Sequence, residues 1–378
     1  MLDPHDLLRF FKEIEVAIGR RPSAINGPRI IDIDIIIYGT TILESDLITI
    51  PHPRMTERKF VLQPLCDIEP ELVHPVSGKA IRLLLDELEL KTESDDILSV
   101  AFPIDKIKGS GRTFVMGIIN TTPDSFSDGG DFIVVDEAVK QCLSMIDMGV
   151  DIIDVGGCST RPGAKYASES EELSRVIPVI EGIRKLSNVP ISIDTFRVSV
   201  AKAAIEAGAD MINDVTGGTG DPGMLQYMAE SAVPVCLMHS RGNSQTMSEL
   251  DNYGDNPIAQ VINELSEILR NAINSGIKKW NIIIDPGIGF AKNSTQNLSI
   301  LKDFVGQLNP QLKRLPILFG PSRKKFLGEI LQEPQPKKRI WGNAAAVCAA
   351  VHQGVSIVRV HDVCEMKQVA AVADRIWR

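Results

Sequence analysis

From residue 112 onward, short apolar runs rich in Val and Ile alternate with longer amphipathic stretches. A run that is apolar at nearly every position predicts a strand buried on both faces, as in a parallel sheet covered by helices. The stretches between the runs repeat their apolar residues at helical spacing, as in SEELSRVIPVIEGIRKL. The runs are FVMGIIN, DIIDVGG, ISIDT, MINDV, VPVCLMH, NIIIDPG, PILFGPS and IVRVHD.

The number of these runs favours one kind of α/β fold. Eight strand–helix units within residues 112–378 match a (β/α)8 TIM barrel, in which parallel strands close into a cylinder. A doubly wound open sheet is the alternative, but no G-x-G-x-x-G motif follows the first run to support its dinucleotide-binding form. Residues 1–90 differ: a helical start, the β-like run RIIDIDIIIYG and a Pro-rich stretch predict a separate small domain. The polar, Ser-, Pro- and Gly-containing residues 91–111 predict a linker.

Polar side chains occur at the end of every predicted strand of the barrel. The carboxyl ends of barrel strands meet on one rim, where the chemistry of such enzymes takes place, so we expect these side chains to surround one site. The candidates are Asn120, Arg161, Asp194, Asn213, His239, Asp285, Ser322, Arg323, Lys324, Arg359 and His361. Taken one at a time, the Asp and Asn residues could instead be helix caps.

The residue types at these positions suit two halves of one substrate. The oxygens and amide of Asp194, Asn213 and Asp285 suit the N–H edges of a flat heterocycle such as a pterin or a purine. The cationic residues suit a diphosphate, which needs charge-assisted hydrogen bonds; they are Arg161, Arg323, Lys324, Arg359 and His361. Asn120 and Asp124 offer oxygen ligands for Mg²⁺. The combination predicts transfer of a heterocyclic group with diphosphate as the leaving group.

Composition restricts the partners and the location. The formal net charge of −9 disfavours general nucleic-acid binding, which requires a basic face. No apolar run has the length of a membrane span, and the start, MLDPHDLLRFF, reads neither as a secretory signal nor as a transit peptide. The six cysteines form no C-x-x-C pair and no zinc spacing, so free thiols are expected. We predict a cytoplasmic protein that binds neither nucleic acid nor membrane.

Seven motifs in a fixed order give residues 112–378 a family resemblance. They are GIINTTPDSFSDGG, DVGGCSTRPGA, ISIDT, INDVTGG, DPGIGFAK, FGPSRKKF and VRVHDV, and together they closely resemble dihydropteroate synthase, the sulfonamide target. The resemblance implies a transferase of folate biosynthesis. The implied reaction joins 6-hydroxymethyl-7,8-dihydropterin diphosphate to p-aminobenzoate and yields 7,8-dihydropteroate and diphosphate. It also implies Mg²⁺ as a cofactor and a homodimer as the assembly, with the C-terminal helices as a candidate interface.

The resemblance also implies roles for the matching positions. The pterin-binding positions are Asp194, Asn213, Asp285 and Lys324. The diphosphate-binding positions are Asn120, Arg161, Arg359 and His361, with Asn120 also matching the Mg²⁺ position. The positions near p-aminobenzoate are Thr160, Pro162, Phe290 and Ser322, of which the first two lie in a loop that closes over the site. The implied catalytic residues are Arg161, Lys324, Arg359 and His361. Cys158 stands where many family members have Glu.

The first 90 residues have a resemblance of their own. NGPRIIDIDIIIYG, TIPHPRMTERKFVLQPL and DIEPELVHP resemble the C-terminal half of 6-hydroxymethyl-7,8-dihydropterin pyrophosphokinase, an ATP-dependent enzyme with an α+β ferredoxin-like fold. The resemblance implies that Asp32 and Asp34 match the kinase Mg²⁺ ligands, and that Arg29, His52 and Arg58 match nucleotide- and phosphate-contacting positions. Because about half of that domain has no counterpart here, we expect a partial domain with a vestigial metal site and little kinase activity.

Two other functions compete with the synthase interpretation. A pterin-dependent methyltransferase shares the barrel and the pterin-binding acids but has no diphosphate to hold, so STRPGA, GPSRKKF and VRVHDV argue against it. A non-catalytic pterin-binding barrel would be expected to lose the cationic residues or the loop, and this chain retains both.

Overall fold

The structure is a computed structural model that describes residues 2–21, 30–91, 111–121 and 131–378. The chain divides into two compact units, Met1–Leu98 and Ser99–Arg378. Among the described residues, no helix combines the length and the apolar character needed to cross a membrane.

The first unit is a small helical body with a short hairpin. Its elements are α1 (Pro4–Ile18), β1 (Leu43–Glu44), β2 (Thr49–Ile50), a 3-10 turn (Met55–Glu57), α2 (Lys59–Ile68) and α3 (Ile81–Lys91), with β1 and β2 antiparallel. The Asp3 carboxylate caps α1 by accepting from the backbone N–H of His5, and Gly19, at φ +109°, ends the helix. The buried core of this unit consists of Met55, Leu62, Ile81, Leu84 and Leu85.

The run RIIDIDIIIYG is not a strand in the structure, so the expectation drawn from its apolar pattern is wrong. Residues 31–38 have no regular secondary structure. A strand requires a hydrogen-bonded neighbour, and no described strand pairs with this run. Its backbone instead bonds to other parts of the first unit: Ile36 O accepts from His52 N at 2.8 Å, and Ile33 N donates to the Glu15 carboxylate at 2.8 Å.

The second unit is a barrel of eight parallel strands with helices around it, which confirms the predicted TIM barrel. The strands are β3 (Phe114–Asn120), β4 (Ile152–Gly156), β5 (Ile191–Asp194), β6 (Met211–Asp214), β7 (Val235–Met238), β8 (Ile282–Asp285), β9 (Leu318–Phe319) and β10 (Ile357–Val360). They lie side by side in the order β8-β7-β6-β5-β4-β3-β10-β9. A parallel bridge between Ile284 and Ile317 joins β8 to the residue before β9 and closes the cylinder.

Helices cover the outside of the barrel. They are α4 (Asp131–Asp147), α5 (Glu169–Leu186), α6 (Val198–Glu206), α7 (Met224–Ser231), α8 (Pro257–Asn274), α9 (Ser294–Asp303), α10 (Pro310–Lys313), α11 (Lys325–Leu331), α12 (Ile340–His352) and α13 (Val363–Trp377). Short 3-10 turns lie at Met247–Glu249, Lys279–Asn281, Val305–Gln307 and Pro336–Lys338. In α8, Asn256 caps the first turn and Pro257 starts the helix. Its buried residues, three or four positions apart, face the barrel, as amphipathic spacing predicts.

Two apolar layers hold the barrel together. One lies between the strands and the helices, and the other fills the cylinder itself. The inner layer consists of Phe114, Met116, Ile152, Met211, Cys236, Ile283, Leu318 and Ile357. Because the cylinder is packed, a ligand cannot pass through it, and the polar strand ends form the floor of a site above this layer.

Candidate functional site

Arg359 lies at the centre of the rim and bridges two carboxylates. Its Nε donates to Asp154 Oδ2 at 2.6 Å, and its Nη2 donates to Asp194 Oδ2 at 2.6 Å. Asp154 is fully buried on β4, and Asn213 at the end of β6 donates to its Oδ2 at 3.3 Å. The strand register brings Asn120, Asp194 and Asn213 to one level of the barrel. Asn120 and Asp194 both pair with Gly156, which lies between them on β4, and Asp194 pairs with Asn213. Ends of four strands, β4, β5, β6 and β10, therefore meet in one polar cluster.

Burial and neighbouring charges set the protonation states of Asp194 and Arg359 in this cluster. Burial raises the pKa of Asp194 to about 7; Arg359 acts to lower it, whereas the negative charge of Asp154 raises it further. Burial works against the charge of Arg359, but Asp154 and Asp194 hold its pKa above the ordinary value. Arg359 therefore stays cationic in the site, and Asp194 can change its protonation state near neutral pH.

A second group of side chains lies beyond the ends of β8 and β9. Burial raises the pKa of Asp285 to about 6, while its Oδ1 accepts from Gly287 N at 2.7 Å. Lys324 Nζ lies 4.0 Å from the centre of the Phe290 ring, which is a cation–π distance. Burial lowers the pKa of Lys324 to about 8, followed by the repulsion of Arg359, whereas Asp285 acts in the opposite direction. A carboxylate, a cation and a flat ring placed together suit a planar heterocycle with N–H donors.

Ser322 and His361 form a pair under the rim. Ser322 Oγ lies 3.0 Å from His361 Nδ1 and accepts from His361 N at 3.1 Å, and Asn343 Nδ2 also donates to it at 3.4 Å. Burial, then the charges of Arg323 and Arg359, lower the pKa of His361 far below its ordinary value. His361 is therefore a neutral hydrogen-bonding group here rather than a cation, which changes the chemistry expected from the sequence.

Arg323 and His239, two further predicted site residues, make their contacts outside this cluster. Arg323 pairs with the Asp362 carboxylate through two nitrogens, so its charge is already balanced. His239 is fully buried, with Nε2 2.7 Å from Glu264 Oε2 and Nδ1 2.9 Å from Lys292 Nζ. The strand-end pattern placed both on the rim, but His239 lies beneath the loop that follows β8.

The loop after β4 carries Thr160, Arg161 and Pro162. Thr160 is half-buried, whereas the other two are exposed. The charge of Arg161 lowers the pKa values of Lys324 and His361, so Arg161 lies within electrostatic reach of both. The loop base is fixed by Ser244, whose O accepts from Gly163 N at 2.7 Å and whose Oγ donates to Ala164 O at 2.7 Å. Cys158, before this loop, has a pKa raised by burial, so it is a thiol rather than a thiolate.

The barrel residues fit a metal ion only together with a substrate. Among the described residues, no group of three or more His, Cys, Asp or Glu is arranged to hold a metal. Asn120 ends β3 half-buried and offers one neutral oxygen. Since Mg²⁺ is commonly held by one or two protein oxygens together with phosphate oxygens and water, Asn120 suits an ion that arrives with a diphosphate. Asp124, the other expected ligand, lies outside the described residues.

The residues expected to bind nucleotide and metal in the first unit have other contacts. Asp32 Oδ1 accepts from Arg20 Nη1 at 2.8 Å and lies 3.6 Å from Lys12 Nζ, and both Asp32 and Asp34 are exposed. His52 Nδ1 accepts from Arg54 N at 3.2 Å. The Arg58 guanidinium lies 5.6 Å from the centre of the Phe60 ring. Arg29 lies outside the described residues.

Asp154 and Lys292 are site residues that the sequence analysis missed. Asp154 has a usable signal, because it is the one charged residue inside the run IIDVG and an unpaired acid in a buried strand is costly. Lys292 has none, because a lysine after a glycine-rich turn reads as a solvated residue.

Titration of Asp285 gives a testable effect on stability. Its folded pKa of about 6 lies above the unfolded value, so its stabilising contribution is complete below about pH 4 and is lost as the pH rises through 6. A shift of about two units corresponds to roughly 3 kcal/mol. We expect Asp285→Asn to gain stability relative to the native chain between pH 4 and pH 7, measured by urea unfolding of the ligand-free protein. The exposed control Asp255→Asn should run parallel to the native chain, and an equal slope for Asp285→Asn would contradict the assignment.

Comparison with known proteins identifies the family of this chain. A family model described as Pterin binding enzyme matches residues 116–361, and one described as 7,8-dihydro-6-hydroxymethylpterin-pyrophosphokinase matches residues 1–70. Dihydropteroate synthase of Synechocystis sp. is 50% identical over 269 residues, covering 71% of this chain and 91% of that protein. Folic acid synthesis protein fol1 of Pneumocystis carinii is 43% identical over 385 residues, covering all of this chain and 52% of that protein. The chain thus spans about half the length of the fused fungal relatives that it matches.

Solved structures lead to the same family. Dihydropteroate synthase of Xanthomonas albilineans with 4-aminobenzoic acid superposes with a TM-score of 0.64 at 40% identity, covering 70% of this chain and 93% of that one. Yersinia pestis dihydropteroate synthase with a sulfonamide drug complex gives a TM-score of 0.65 at 37% identity, covering 70% and 94%. The chain therefore belongs to the pterin binding enzymes and, within them, to the dihydropteroate synthase family.

Proposed function

We propose that this chain joins 6-hydroxymethyl-7,8-dihydropterin diphosphate to p-aminobenzoate, giving 7,8-dihydropteroate and diphosphate. The observation that carries the proposal is the guanidinium of Arg359 shared by Asp154 and Asp194, with Lys324, Phe290 and Asp285 on the same rim. This arrangement combines acceptors for a heterocycle with cations for a diphosphate. A methyltransferase would have no use for the second part.

The pterin would lie between two groups of acceptors. Asp194, Asn213 and Asp285 would meet its N–H edge, and Phe290 would offer a flat surface below Lys324. Because the pKa values of both carboxylates are raised by burial, ionisation is easier once they gain N–H donors or cations. The N–H groups of the bound pterin would thus stabilise the ionised forms of Asp194 and Asp285.

The reaction breaks a C–O bond to diphosphate and forms a C–N bond to the amine, which releases a proton. Charge develops on the departing diphosphate, so the main task is to stabilise it and to hold the two reactants in line. Arg359 and the exposed Arg161 would contact the diphosphate as cations, and the neutral His361 as a hydrogen-bonding group. Mg²⁺, when bound with the diphosphate near Asn120, would supply further charge neutralisation. Thr160, Pro162, Phe290 and Ser322 would surround p-aminobenzoate.

The test is a direct assay of the full chain. We expect dihydropteroate and diphosphate to appear in equal amounts when the chain is mixed with the pterin diphosphate, p-aminobenzoate and Mg²⁺. Omitting either organic substrate should abolish dihydropteroate. Tight binding of the pterin diphosphate without any product would overturn the proposal in favour of a non-catalytic pterin-binding barrel.

For the first unit we propose little pyrophosphokinase activity. Asp32, an expected Mg²⁺ ligand, is hydrogen-bonded to Arg20, and a cation in that place competes with a metal ion. We expect no more than a trace of diphosphorylated pterin when the chain is incubated with ATP, Mg²⁺ and 6-hydroxymethyl-7,8-dihydropterin. Turnover at a rate near that of the synthase assay would contradict this expectation.

We further propose a homodimer formed through the C-terminal helices, and a cytoplasmic location. Val372 and Ile376 on α13 are 62% and 63% exposed and line an apolar groove of about 340 Å³ together with Trp377. We expect sedimentation of the native chain to give twice the chain mass and sedimentation of Val372→Glu to give the chain mass; a monomeric native chain would exclude this interface.

The location is a separate proposal. Plant relatives include proteins named as mitochondrial, so location varies among the relatives.

A further inference from the structure

Lys292 has three polar contacts beneath the loop that carries Asp285 and Phe290, the side chains proposed to meet the pterin. Its Nζ donates to Gly287 O at 3.1 Å and to Phe290 O at 3.1 Å, and it lies 2.9 Å from His239 Nδ1. An ammonium group has three N–H donors and no acceptor. The three neighbours match the three donors that Lys292 has in its protonated form, although burial lowers its pKa to about 7.

The loop that Lys292 holds has a conformation that needs support. Gly287, Gly289 and Ala291 have φ values of +71°, +79° and +46°, and for alanine this region is strained. A Cβ on Gly287 would lie 2.0 Å from His239 O, so the backbone passes there in close contact. Gly289 N donates to Asn297 Oδ1 at 2.7 Å. Besides the turn bond from Phe290 N to Gly287 O at 3.1 Å, Lys292 and Asn297 supply side-chain hydrogen bonds that hold this backbone.

This loop carries the side chains expected to meet the pterin. Asp285 stands at its start and accepts from Gly287 N, and Phe290 places its ring 4.0 Å from Lys324 Nζ. A shift of the Gly287 or Phe290 carbonyl would move the carboxylate and the ring together. The position of both therefore depends on the contacts made by Lys292.

The other side of Lys292 is connected to helix α8. When Lys292 is protonated it only donates, so His239 Nδ1 accepts, which leaves the ring proton on Nε2 to donate to Glu264. His239 is fully buried, and burial, followed by the charge of Lys292, lowers its pKa to about 4, so it is neutral as this arrangement requires. Arg241 also pairs with Glu264 and stacks 3.8 Å from the Tyr253 ring. The chain Glu264–His239–Lys292 joins a rigid helix to the loop.

We propose that Lys292 is a positioning residue for the pterin substrate: it holds the Gly287 and Phe290 carbonyls so that Asp285 and Phe290 face Lys324. This inference rests on the proposed synthase function. Its consequence is selective. Loss of the three donors should weaken mainly the pterin end of the site and reach p-aminobenzoate only through Phe290. Thr160 and Pro162 on the β4 loop and the diphosphate contacts of Arg359 should remain in place.

The test compares Lys292→Met, which keeps the chain length and removes every donor, with the native chain and with Lys302→Met, an exposed lysine on α9. We expect KM for the pterin diphosphate to rise roughly 10- to 100-fold, since small displacements of positioned groups cost about this much. KM for p-aminobenzoate should rise less than KM for the pterin diphosphate, because Thr160, Pro162 and Ser322 do not contact Lys292, and kcat should change less than about threefold. Lys302→Met should resemble the native chain. Calorimetric titration with the pterin diphosphate alone should show the same rise in Kd.

A merely structural role gives a different result. It would lower kcat through a smaller active fraction and leave both KM values unchanged, which would overturn the inference. Should Lys292→Met fail to fold, Lys292→Gln, whose amide retains two N–H donors, replaces it: an intermediate rise in the pterin KM supports the inference and a native KM overturns it. Absence of product from the native chain would instead refute the synthase function, so the two failures are distinguishable.

Discussion

Arg359→Ala is expected to lower kcat/KM of the condensation by at least about 10³-fold, because it removes the central cation of the site. Arg359 is the side chain that contacts both Asp154 and Asp194 at 2.6 Å. Without it, the exposed Arg161 is the remaining guanidinium proposed to meet the diphosphate as its charge develops. Arg359→Lys keeps the charge but not the two-pronged geometry, so we expect it to recover only part of the loss. The measurement is steady-state formation of dihydropteroate.

The same substitution should also destabilise the protein, which requires a control. Removing one partner of a buried ion pair typically costs about 3–5 kcal/mol, because the remaining charge is left uncompensated. The two carboxylates would then repel each other, and one would take up a proton. Adding Asp194→Asn to Arg359→Ala removes this repulsion. Because Asp194 is itself a proposed pterin-binding residue, the double variant is compared with Asp194→Asn alone. We expect the double variant to recover thermal stability but to remain far less active than Asp194→Asn; equal activity of the two would show that Arg359 acts on folding rather than on the reaction.

The barrel was predictable because its constraint is local. A strand buried on both faces must be apolar at nearly every position, and a surrounding helix must be apolar along one side, so each segment shows its type by itself. The run RIIDIDIIIYG satisfied the same local rule and was not a strand. Residues 31–38 have no described strand beside them, and the amino-acid pattern of a segment does not reveal whether a pairing strand is present.

The site was predictable in outline for a related reason. Closure of the barrel places all strand ends on one rim, and so Asp194, Asn213 and Arg359 come together although Arg359 lies 165 residues after Asp194. The orientation and pairing of individual side chains do not follow from this rule. His239 directly follows β7 and Asp285 ends β8, yet His239 is buried under the loop after β8, and Arg323 is balanced by Asp362. These outcomes depend on packing between loops, which strand periodicity does not describe.

Asp154 was not among the predicted site residues, and its replacement should change the pH dependence of the reaction. Its negative charge is among the causes that raise the pKa of Asp194 to about 7, after burial. Asp154→Asn removes that charge and leaves Asp194 as the remaining partner of Arg359. We expect the pKa of Asp194 to fall, and kcat/KM to drop roughly 10²- to 10³-fold because Arg359 is no longer held between two carboxylates.

The midpoint of the pH profile of kcat/KM should move to lower pH in Asp154→Asn. If the ionised Asp194 accepts the pterin N–H, kcat/KM of the native chain should rise as the pH increases through about 7, since this parameter reports the free enzyme. In Asp154→Asn the midpoint of this rise should lie at a lower pH, because a neighbouring negative charge no longer opposes ionisation. The measurement is the pH profile of kcat/KM for the pterin diphosphate at saturating p-aminobenzoate.

Asp151→Asn is the matched control for this prediction. Asp151 is also a buried aspartate beside β4, and it pairs with Arg112 and Lys367 just before the strand begins, at the opposite end from the site. Its substitution should lower stability without moving the midpoint of the pH profile. A midpoint that stays in place in Asp154→Asn, or one that moves equally in both variants, would show that Asp154 supports the barrel but does not tune Asp194. A shift confined to Asp154→Asn would mean that the fully buried acid sets the charge state of the pterin-binding acid through its own negative charge.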